Sequence, residues 1–191
     1  MQRLDLEDVI RAGKLIEWMM QHGLLKEDVI CDVCGEKMNK SIRNTSVDGI
    51  AFCCGKERCG RPVKSMRTGS IFWRYKQSLQ TLMRFVYEWA EGTKLKRICR
   101  QLGVSKGAAV RFSDMLRHVV YREVRREMSA IKIGGAGKVV EIDETVVARR
   151  KYNVGRKIAE QWLFGGIVGG TLGGKVECFV ELVNDRKAAT L

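Results

Sequence analysis

The chain has 191 residues, 45% hydrophobic and 30% charged, with a formal net charge of +13. This composition suits a folded globular protein and argues against wholesale disorder. No apolar run approaches the roughly 20 residues that cross a bilayer, and the acidic start MQRLDLEDVI lacks the pattern of a secretory signal. An intracellular protein with no membrane partner is therefore expected.

Residues 5–22 read as an amphipathic helix with Leu6, Val9, Ile10, Ile16, Met19 and Met20 on its stripe and Gly23 ending it. Residues 31–59 hold Cys31, Cys34, Cys53, Cys54 and Cys59 among turn signals at Asn44, Asp48–Gly49 and Gly55. A helix is predicted over 76–92. A shorter one with a tight turn at Gly103–Val104 follows, then a longer one capped by Ser105. After the glycine-rich boundary at 131–137 the pattern changes to strands at 138–145, 161–168 and 175–183, and NDRKAATL reads as the start of a helix. The expected class is α+β, divided into 1–25 (helix), 26–75 (cysteine-rich), 76–130 (helical) and 136–191 (strands).

Cys31-x2-Cys34 followed by Cys54-x4-Cys59 is a zinc-ribbon spacing, since each pair sits on a tight turn and four thiolates satisfy Zn²⁺ tetrahedrally. Cys53 is the alternative to Cys54. The period of a strand puts Cys54 on the face of Phe52 and Cys53 on the other, which favours Cys54. A site closed by four protein ligands is structural. Cys99 and Cys178 are expected as small core residues.

Positive charge concentrates between residues 76 and 130, where it favours a polyanion by releasing condensed counterions. The helix–turn–helix pattern at 95–128 places Lys106 and Arg111 toward a DNA major groove and Lys94, Lys96, Arg97 and Arg100 toward backbone phosphates. Arg122, Arg125 and Arg126 extend the basic face.

The run from Val139 to Ile167 sets Glu141, Asp143 and Glu144 in an apolar strand, followed by Arg149, Arg150, Lys151, Arg156 and Lys157. Burying a carboxylate is expensive unless it is paired or holds a metal. The salt-bridged edge strand and the metal ligand are the two readings of these acids.

The motifs Glu141-Ile142-Asp143-Glu144, Lys151-Tyr152-Asn153-Val154-Gly155-Arg156 and Trp162-Leu163-Phe164-Gly165-Gly166 resemble the start of the catalytic domain of Merlin-type DDE transposases. The upstream QHGLL, cysteine pairs and SMRTGSIFW, and the terminal NDRKAATL, resemble the same family. The resemblance implies an RNase H-like fold in which Asp143 is the first catalytic carboxylate and a ligand of Mg²⁺ or Mn²⁺. The cations from Arg149 to Lys157 would then meet the DNA. It implies double-stranded DNA, at transposon ends, as the partner, with homo-oligomers allowed. The family's later acidic ligands have no counterpart here. The expectation is thus an inactive N-terminal portion of a transposase carrying the first three antiparallel strands. The alternative is a non-catalytic zinc-ribbon and helix-turn-helix DNA-binding protein derived from one.

Overall fold

The computed structural model describes residues 3–130, 132–148, 161–169 and 177–187. The described residues form a mixed α/β protein with five α-helices and two three-stranded antiparallel sheets. The chain divides into two units, Met1–His118 and Val119–Leu191.

The single helix predicted over 5–22 is two: α1 (Arg3–Arg11) and α2 (Leu15–Gln21). Between them Gly13 adopts φ +70°, a left-handed value that costs glycine little. Breaking the helix here lets Leu6 and Ile10 on one segment, and Leu15, Met19 and Met20 on the next, reach the same core. Gly23 ends α2 as expected, at φ +68°.

Strands β1 (Asn39–Ile42), β2 (Ile50–Cys53) and β3 (Val63–Ser65) form a meander with β2 in the middle. Helix α3 (Leu79–Ala90) follows, with Ser78 as N-cap accepting from the Thr81 N–H at 3.2 Å. Sequence reading did not pick out this cap. Replacing Ser78 with Ala should cost about 1 kcal/mol, read as a lower urea midpoint at unchanged slope. Helix α4 (Leu95–Leu102) ends at Gly103, which has φ +65°. Helix α5 (Lys106–Ala130) then begins, with the Ser105 hydroxyl accepting from the Ala108 N–H at 3.3 Å, as predicted.

One hydrophobic core underlies everything from α1 to the first half of α5. Phe52 of β2, Met66, Phe72, Phe85, Ile98 and Phe112 are all but inaccessible. Phe112 is the hub, with ring centroids of Tyr75 at 4.6 Å, Phe85 at 5.0 Å and Phe72 at 6.3 Å. Polar clamps tie the elements together at the margins. Arg84 on α3 donates two 2.7 Å bonds to Glu7 on α1, and the Trp89 indole N–H donates to the buried Ser113 hydroxyl at 2.9 Å.

In the second unit, β4 (Val140–Ala148), β5 (Gln161–Val168) and β6 (Cys178–Val183) form an antiparallel sheet in that order. The second of the two central glycines of WLFGGIV is explained by its cross-strand neighbour. Gly166 pairs with Phe179, and a methyl group on Gly166 would lie 2.4 Å from the Phe179 ring. The aromatic ring covers the glycine across the strands and pins the register. Cys178 is exposed, contrary to the expectation of a core thiol. It stands near the beginning of β6, where no described layer covers its side of the strand. Residues 184–187 are not helical. Instead the Asp185 carboxylate accepts from the Lys187 N–H at 3.0 Å, a local turn that competes with helix formation. The rest of NDRKAATL lies outside the described residues.

Candidate metal centre and nucleic-acid surface

Two loops of the first unit converge on one point. The first is a hairpin closed by the Ile30–Lys37 bridge, in which the Gly35 N–H donates to the Cys31 carbonyl at 2.9 Å. The second leaves β2 at Cys54, passes through a 3-10 turn at Glu57–Cys59 and returns as β3. Each pair is followed by a left-handed glycine, Gly35 at φ +70° and Gly60 at φ +67°, which turns the chain away and leaves the thiols facing inward.

The sulfurs of Cys31, Cys34, Cys54 and Cys59 lie within 4.8 Å of one another, and Cys53 stands outside the group. Cys34 Sγ and Cys54 Sγ are 3.9 Å apart. A tetrahedral ion with metal–sulfur bonds of about 2.3 Å has sulfur–sulfur edges of about 3.8 Å, so this donor set fits a metal ion. Phe52 and Cys54 are both buried, as the strand period requires.

The surroundings treat three of the thiols unequally. Backbone N–H groups of Cys34 and Val33 draw the Cys31 thiol down to about 7. At Cys54 the Lys56 N–H acts downward, but burial and the neighbouring Cys31 and Cys34 thiols outweigh it and the value ends raised. Burial, then the Cys34 and Cys54 thiols, push Cys59 up to about 12. Four thiols packed this closely resist losing their protons together, and a cation at their centre removes that resistance. Around them Lys56 pairs with Glu36, and Lys64 donates to Asp32 at 2.6 Å and to the Ile30 carbonyl at 2.9 Å. Each bond straps one cysteine loop to the other.

A second polar element went unread in the sequence because nothing in the spacing of its residues announces it. Arg67 is buried and forks onto Asp48, with Nε to Oδ2 at 2.6 Å and Nη2 to Oδ1 at 2.5 Å. Its remaining Nη1 donates to the Tyr75 carbonyl at 2.5 Å. The SMRTGSIFW stretch is thus a turn built around one guanidinium, with Met66 and Phe72 buried on either side.

The cations assigned to nucleic acid fall into two groups. Lys94, Lys96, Arg97, Arg100, Lys106 and Arg111 are all exposed on α4, its flanks and the first half of α5. Among the described residues none of them forms a salt bridge, whereas Arg117 pairs with Asp114 and Arg126 with Glu123. Arg149, Arg150, Lys151, Arg156 and Lys157 lie outside the described residues.

Asp143 stands on β4 opposite Gly165 and is exposed, as are Glu141 and Glu144. Its Oδ1 accepts from the Glu144 N–H at 2.8 Å. Among the described residues the four cysteines are the group that could hold a metal ion; no set of carboxylates gathers around Asp143. The sheet leaves the acids in water, so they avoid the desolvation that made a metal seem necessary. A Mg²⁺ or Mn²⁺ site at Asp143 is accordingly without support.

What the fold and site define is a mixed α/β protein with a four-cysteine cluster that could hold a metal ion and a run of exposed cations on α4 and the start of α5. Residues 57–132, less than half of the chain, match the DSHCT (NUC185) domain family, a domain associated with RNA helicases. The matched segment begins in the second cysteine loop and runs through α3, α4 and α5. No curated protein and no solved structure matches the chain. The match overturns the expectation of a DDE transposase acting in DNA transposition, together with the alternative of a transposase-derived DNA-binding protein. The helices assigned to transposon-end DNA are the very ones that the RNA-helicase-associated domain covers, and double-stranded DNA has no support as the partner. Among the described residues no helix is long and apolar enough to cross a membrane.

Proposed function

We propose that this chain is a zinc-ordered RNA-binding module that serves RNA processing in association with a helicase. The observation that carries the reading is the coincidence of two features. The six exposed cations from Lys94 to Arg111, none of them in a salt bridge among the described residues, lie inside the segment that matches the helicase-associated domain. Such a surface binds phosphates through charge and counterion release. Zinc is the ion we assign to the four thiols, because a soft, closed, tetrahedral sulfur site suits it and leaves no position open for chemistry. Its role is to hold the two cysteine loops together.

Residues 26–75 are taken as a zinc ribbon, and β4–β6 as the opening meander of an RNase H-like sheet. The resemblance of residues 141–166 to Merlin-type transposases supports that fold reading alone.

Fluorescence anisotropy with a labelled RNA and a DNA duplex of the same sequence tests the function. RNA should bind more tightly, and log Kd should rise steeply with log salt. Reversing Lys106 and Arg111 to Glu should flatten that slope by about 0.7 for each phosphate that is no longer neutralised. Equal or tighter binding to the DNA duplex, or no RNA affinity at low salt, would end this reading.

A further inference from the structure

Beyond phosphate binding, we propose that Trp73 is a stacking platform for an unpaired base, making the favoured ligand single-stranded RNA. The inference rests on the RNA-binding reading above and specifies its substrate.

The turn that carries Trp73 alternates sharply. Phe72 is buried against the Phe112 ring and Tyr75 packs edge-on to the same ring, while Trp73 between them is 53% exposed. With Ile71 also exposed two residues before it, Trp73 offers solvent a free aromatic face beside two packed rings. The turn is also held from three sides. Arg67 Nη1 grips the Tyr75 carbonyl at 2.5 Å, the Trp73 N–H donates to the Ser70 carbonyl at 3.2 Å, and the Tyr75 N–H donates to the Phe72 carbonyl at 3.2 Å. A platform fixed in advance loses little freedom when a ligand meets it.

Its neighbours supply charge. Arg74 and Lys76 are exposed on the same turn. The Tyr75 hydroxyl donates to the Arg111 carbonyl at 3.2 Å, which seats the turn directly beside the basic start of α5. An aromatic plane next to a cationic track is what single strands need: the track follows the phosphates and the plane takes a base. In a duplex the base faces are already stacked, so Trp73 discriminates between the two forms.

The test titrates the full chain with a fluorescein-labelled uridine dodecamer and with an RNA hairpin of matching charge. The dodecamer should bind more tightly and quench tryptophan emission. Trp73→Ala should weaken dodecamer binding about 5- to 150-fold without changing the salt slope, while Trp73→Phe retains most of the affinity. In Trp73→Phe the quench should fall away, because Trp18, Trp89 and Trp162 remain but do not take the base. Dodecamer binding unchanged in Trp73→Ala, or a full quench persisting in Trp73→Phe, overturns the inference and leaves Trp73 as a protein-contact residue. Failure of the wild-type chain to bind either RNA overturns the RNA-binding reading as well, so the two failures are told apart.

Discussion

Removing the metal with a strong chelator, or replacing Cys31 or Cys54 with Ser, should abolish cooperative unfolding of the unit Met1–His118. Apart from its cysteines, the segment 26–65 buries only Val29, Met38, Ala51 and Phe52, and the closure of its loops depends on the four sulfurs meeting. A structural ion contributes about 10–16 kcal/mol in zinc-finger peptides, as much as the whole stability of a typical domain, about 5–15 kcal/mol. Because the cysteine-bearing strands and the helices share one core, the effect should extend beyond the loops. Thermal melts followed by near-ultraviolet circular dichroism should lose their transition, and readdition of Zn²⁺ should restore it for the wild type alone. Cys53→Ser, one residue away and outside the sulfur group, should leave the melt nearly unchanged. A midpoint indifferent to chelation would show that the thiols close the loops unaided.

Arg67→Ala or Asp48→Ala should each cost about 3–5 kcal/mol, because either change strands a buried charge without its partner. Both side chains are 4% exposed, so water cannot substitute. Arg67 carries a third obligation to the Tyr75 carbonyl, so its loss should exceed that of Asp48. Replacing both together, Asp48→Leu with Arg67→Met, should recover much of the deficit, since the cost lies in the orphaned ion more than in the missing bond. Urea denaturation of the two single variants and the double variant gives the coupling directly. Additive losses would show that the pair is not a unit.

The cysteine set was legible because spacing encodes it: two tight pairs demand two turns, and the strand period separates Cys54 from Cys53. Gly103, Ser105 and the strand at 161–168 were legible for similar local reasons. What stayed hidden was tertiary. Nothing local distinguishes Gly13, which bends α1 into α2, from a tolerated helix glycine, and nothing in Asp48 and Arg67 announces a pairing across 19 residues of sequence. Trp73 read as one more aromatic in a short motif until its neighbours were seen to turn inward. The reading of function failed for a different reason. Charge and helix pattern favour a polyanion without saying which one, and the acidic strand carried the choice toward DNA chemistry. Once Asp143 stands in water, with no metal-binding set of carboxylates around it among the described residues, that strand no longer bears on the choice.

The three-stranded sheet of the second unit has practical consequences at the bench. Among the described residues, strands β4 and β6 end it on either side, and Ile142, Val147, Ile167, Val180 and Leu182 meet solvent. Open strand borders with bare aliphatic side chains invite neighbouring molecules to add on. Concentrated stocks should therefore turn turbid over time, faster in high sulfate, and a lysine at Ile142 should extend their shelf life.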